Sequence, residues 1–139
     1  MESVIVDSNK VLAAFIAKGV VHDVLFSGKF KSVGPMKLLE EVKKHKSDIA
    51  KKSGMDAENV ELAISLLEPE FKIFEREQYS DKLQEGSKLA PHEKDSEYFA
   101  LALKSGFSIW SNEIAFKNQS TIKIFSTGEL IRHLSIKLP

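Results

Sequence analysis

The amino-acid sequence predicts an α/β domain in three layers, a mostly parallel central sheet of four to five strands flanked by helices. Short β-branched or aromatic runs recur along the chain, and residues at helical spacing fill the stretches between them. Their alternation implies right-handed crossovers that cover a parallel sheet on both faces. At 139 residues, 42% apolar and 29% charged, the chain suits one core, so residues 1–139 are read as a single domain.

SVIVD, residues 3–7, is the first strand. Val11, Leu12, Phe15 and Ile16 then mark a helix, and residues 20–26 a second, shorter one. FKSV, residues 30–33, is a weak second strand. From Pro35, suited to a first turn, Leu38, Leu39, Val42 and Ile49 keep one helical stripe toward Gly54, a C-terminal cap. Asp56 caps a further helix carrying Val60, Ala63, Ile64 and Leu67, which Pro69 stops; the two should form a helical hairpin. FKIF at 71–74 is a third strand, and a polar helix covers about 80–89. The apolar helix SEYFALALK ends at Gly106, and FSIW at 107–110 and TIKIF at 121–125 are the last strands. Ser126 and Glu129 have the spacing of a capping box for the final helix.

Composition excludes several chemistries. There is no cysteine, hence no disulfide, thiolate zinc site or cysteine nucleophile. Twenty basic and twenty acidic residues cancel, so contact with a polyanion would be local. Arg76 and Arg132 are the only arginines, which favours phosphate contact by lysine over reading of base edges. The lysine run KKHK is interleaved with acids and reads as solvated helix surface. No apolar stretch approaches a membrane span and no basic leader opens the chain, so a cytoplasmic location away from membranes is expected. Walker, nucleophile-elbow and dinucleotide-binding patterns are missing. His22, His45, His92 and His133 lack zinc spacing.

The acids are more informative. Asp7 closes the first strand, where either a helix cap or a site residue would stand. Glu40 and Glu41 share the helix after the second strand; at ~100° per residue, Glu41 lies about 100° and Glu40 about 160° from the apolar centre. Asp95 opens the apolar helix, with Ala100 and Ala102 allowing close approach to the sheet, and Glu113 follows the FSIW strand. In a parallel sheet these positions converge on the carboxyl edge, where sites lie. Converging carboxylates repel unless a cation neutralises them, and hard oxygen ligands select Mg²⁺ or Mn²⁺.

VIVDSNKVLAAF, KLLEEVKKHK, HEKDSEYFALALKSG and SIWSNEIAFK together resemble the successive motifs of the PIN domain, over nearly the whole chain. The resemblance implies a nuclease that hydrolyses RNA with Mg²⁺ or Mn²⁺, leaving a 5′-phosphate and a 3′-hydroxyl. It implies that Asp7, Asp95 and one of Glu40 and Glu41 are the core acids; counting from Pro35 favours Glu40, helical phase Glu41. Asp7, Asp95 and Glu113 would hold metal, and Ser8, Asn9, Ser111 and Asn112 would orient ligands or substrate. Glu113 replaces the family's usual aspartate and Ala115 an acid that often follows, which bears on a second metal. Family partners would be RNA, a small antitoxin where the protein is a toxin, and a second copy in a homodimer. The alternative is a catalytically weak RNA-binding or assembly module.

Overall fold

A computed structural model describes residues 1–139. Five strands, β1 (Ser3–Val6), β2 (Lys31–Pro35), β3 (Lys72–Phe74), β4 (Ser108–Trp110) and β5 (Ile124–Phe125), form one sheet in the order β3-β2-β1-β4-β5. Every neighbouring pair is parallel. Val4, Ile5 and Val6 of the central strand are fully buried, which explains a continuous apolar run in place of alternation.

Helices α1 (Ser8–Ile16), α2 (Val20–Leu25), α3 (Met36–Lys44), α4 (Lys46–Ser53), α5 (Ala57–Leu67), α6 (Leu83–Leu89), α7 (Ser96–Ser105) and α8 (Thr127–Leu134) flank the sheet. The chain steps from β1 to β2 to β3 in one direction, then crosses back past β1 to β4. Because crossovers are right-handed, that reversal places α6 and α7 on the face opposite α1 to α5. The reversal also makes the carboxyl ends of β1 and β4 a topological switch point, the place where such sheets carry their sites.

The helix expected to run from Pro35 to Gly54 is two helices, divided at His45, whose φ of −97° and ψ of 17° leave the helical range. The bend lets α3 pack on β2 while α4 turns onto α1 and α5. The hairpin partner of α5 is therefore α4 alone. In the polar segment, residues 80–82 are a 3₁₀ turn and the α-helix begins at Leu83. The capping box at Ser126 and Glu129 is present, with both reciprocal hydrogen bonds.

Gly86 fixes the approach of α6 to α7. A Cβ at Gly86 would lie 2.7 Å from the Ala100 backbone nitrogen and 2.8 Å from the Ser96 carbonyl oxygen, so only glycine permits this contact.

Candidate active site

Register puts the first acid at the switch point. Val6 pairs with Trp110, so the next residues, Asp7 and Ser111, leave the sheet side by side. The Asp7 N–H donates to the Trp110 carbonyl at 3.2 Å, which continues the ladder one step beyond the strand. The Asp7 side chain does cap α1, accepting from the Asn9 N–H at 3.4 Å, and it also accepts from Ser111 Oγ at 2.8 Å. It is thus both cap and site-facing carboxylate. Burial pushes its pKa up, the two hydrogen bonds oppose that, and the charges of Glu113 and Glu41 add to the rise.

Asp95 is not a cap. It precedes α7 without any side-chain capping bond, is 7% exposed, and its Oδ2 is buried with no hydrogen-bond partner. Burial, then Glu113, then Asp7 raise its pKa to about 6, while Lys94 and His92 pull the other way. A buried carboxylate oxygen without a donor is costly, and it marks a place where a cation would be stabilising.

Of the two glutamates, Glu41 turns inward. It accepts from Ser8 Oγ at 3.2 Å and from the Tyr98 hydroxyl at 2.8 Å, whereas Glu40 is exposed. Burial and the adjacent carboxylate push the Tyr98 phenol far above its ordinary value, so it stays a donor at any working pH. Glu113 donates its N–H to Ser111 Oγ at 3.1 Å, and its carboxylate lies 3.6 Å from His92 Nε2.

Two predicted positions are engaged otherwise. Asn9 contributes its backbone N–H while its side chain is exposed, and Asn112 Oδ1 accepts from the Thr127 N–H at 2.8 Å and hydroxyl at 3.1 Å. Trp110 Nε1 donates to the same Thr127 hydroxyl at 3.0 Å, so Asn112 ties the exit of β4 to the start of α8.

A family model described as PIN domain matches residues 5–129. The chain belongs to the PIN domain family. Among solved structures, this PIN domain is similar to the crystal structure of PAE2754 from Pyrobaculum aerophilum, with a TM-score of 0.69. Sequence identity is 16%, and the match covers 99% of this chain and 91% of that one, which shows a shared fold. No curated protein matches the chain. PIN domains are commonly nucleases.

The PIN domain's acids do not close into a cage, because no three His, Asp or Glu side chains converge tightly enough to hold an ion unaided. The convergence expected from the sequence is therefore looser: the charges of Glu113 and Glu41 act on Asp7, and those of Glu113 and Asp7 act on Asp95. PIN domains typically use divalent metal ions, and a hydrated divalent cation needs only one or two protein carboxylates.

Tyr98, Lys10 and His92 also act on these acids, and none stood out in the sequence. Tyr98 fell on the apolar stripe of its helix, although a buried tyrosine hydroxyl needs a partner. Lys10 is 9% exposed, three residues after Asp7; burial pulls its pKa down and the Asp7 charge pushes it back up.

Proposed function

We propose that this PIN domain is a metal-dependent endoribonuclease that hydrolyses RNA phosphodiester bonds. The observation that carries the reading is the pair of buried aspartates, Asp7 and Asp95, on one edge, with Asp95 Oδ2 lacking any donor. A divalent cation bound there would activate water and offset charge on the scissile phosphate.

The chain's own residues define the rest. Ser111 holds Asp7 in one orientation, and Ser8 and Tyr98 hold Glu41. In this reading Glu41 accepts a proton from the attacking water. As the water oxygen bonds to phosphorus, the bond to the 3′ oxygen breaks and that oxygen takes a proton from solvent, giving a 5′-phosphate and a 3′-hydroxyl. Lys10 and Lys94 supply positive charge beside the acids, so phosphate contact would be local although the net charge is zero.

Ala115 favours the second reading, a catalytically weak RNA-binding module, because it removes one acid from the edge. Incubation with structured and unstructured RNA in Mn²⁺ separates the two. Cleavage by the wild type, lost with a chelator and in Asp95→Asn, supports the nuclease; RNA binding without cleavage supports the module.

A further inference from the structure

Glu41 is fastened from two sides. Ser8, next to Asp7, donates to one carboxylate oxygen, and Tyr98, on the first turn of the helix that follows Asp95, donates to the other. A glutamate has three side-chain torsions, so without fixed donors its carboxylate would sample several positions. Ser8 supplies a rotatable hydroxyl at 3.2 Å; Tyr98 supplies a hydroxyl at 2.8 Å whose place is set by a ring only 2% exposed. The shorter, better fixed bond is the one from α7.

We propose that Tyr98 is a positioning residue for Glu41, through which α7 sets the placement of that carboxylate relative to Asp95. The kinetic part of this inference rests on the nuclease reading. The geometric part does not, since the same helix presents Asp95 and the phenol whatever the substrate. A change in α7 that moved Asp95 would move Glu41 with it through the Tyr98 bond.

The molecule contains a matched control. Tyr79 is also fully buried and donates to a glutamate, Glu97, at 2.7 Å, but Glu97 has no bond to the Asp7 edge. Tyr98→Phe and Tyr79→Phe therefore make the same chemical change, the first inside the cluster and the second outside it.

The test measures RNA cleavage and, by calorimetry, the Mn²⁺ dissociation constant of each variant. Tyr98→Phe should lower kcat and weaken Mn²⁺ binding, at least one of them by about 10–100-fold, as loss of a partner to a site residue does. KM for RNA should stay within about twofold, because the phenol is buried away from substrate. Tyr79→Phe should change neither. If Tyr98→Phe matches wild type in both measurements, or Tyr79→Phe shows the same losses, the proposal is overturned. A wild type that binds Mn²⁺ but cuts no RNA refutes the nuclease reading alone; Tyr98→Phe with an unchanged Mn²⁺ constant then overturns the positioning role as well, and a weakened one upholds it. Should Tyr98→Phe fail to fold, the change is made in Glu41→Ala, where the acceptor is gone; the tether predicts no further loss of Mn²⁺ affinity, and an additive loss refutes it.

Discussion

Ser111 Oγ donates to Asp7 Oδ2 at 2.8 Å, a buried bond between side chains 104 positions apart. It exists because β1 and β4 are paired so that both residues leave the sheet together. The bond favours the charged form of a carboxylate that burial would otherwise neutralise. Ser111→Ala should therefore cost about 1.5–3 kcal/mol of stability at neutral pH in metal-free protein, the range for hydrogen bonds to charged groups. Urea denaturation measures it, and a loss under ~0.5 kcal/mol would show that the bond does not hold the aspartate.

Helical phase and the Pro35 anchor pointed to different glutamates, and the hydrogen bonds distinguish them. Glu41→Gln should abolish RNA cleavage, whereas Glu40→Gln should retain most of it and change stability by no more than ~0.5 kcal/mol, as exposed substitutions do. Parallel rate measurements on the two variants decide the matter, and equal losses would reject Glu41 as the acting residue.

Asp95 gives metal-free stability a pH dependence of defined sign. Its pKa is raised from 3.8 to about 6 in the folded protein, so ionisation is harder folded than unfolded. Below the lower value both states are protonated and there is no penalty; as pH rises through about 6 the penalty grows to its full size. Metal-free Asp95→Asn should thus match wild type near pH 4 and melt higher than wild type above pH 6. Mn²⁺ should reverse the order, since at ~100 times its dissociation constant a ligand adds about 2.7 kcal/mol to wild type. Melting curves from pH 4 to 7.5 would contradict this if the gap stayed constant.

Gly86→Ala tests the seat of α7. Alanine favours a helix interior over glycine by about 1 kcal/mol, but here its Cβ would meet backbone at 2.7 Å, and backbone cannot rotate away. The variant should lose about 1–3 kcal/mol net. It should also lose cleavage activity, because α7 follows Asp95 and carries Tyr98; a more stable, fully active variant would mean that α6 shifts freely.

The strands and most helices were legible because their cues are local: VIV and SIW are apolar runs, and Asp56, Ser126 and Gly106 are terminal signals. The break at His45 was not. Leu38, Val42 and Ile49 follow one another at gaps of four and seven on one stripe, and KKHK contains neither glycine nor proline, so the periodicity runs unbroken across the bend. The positions of Asp7, Asp95 and Glu113 followed from topology, since they stand after a strand or before a helix, whereas Glu41 lies inside α3 and was reached through helical phase. What Tyr98 and Asn112 touch was hidden, because their partners lie 57 and 15 positions away and are chosen by tertiary structure. Motif likeness placed Asn112 with Ser111; its amide instead went to Thr127.

The outer strands are brief: three residues in β3 and two in β5. An incoming strand would find few unpaired backbone groups along either rim, and Lys72 and Lys123 flank those few with charge. Such a sheet resists growth by strand addition, so it is poorly suited to fibrils or to peptides that dock by extending a sheet. Association of copies through a shared sheet would therefore find almost no rim to pair along.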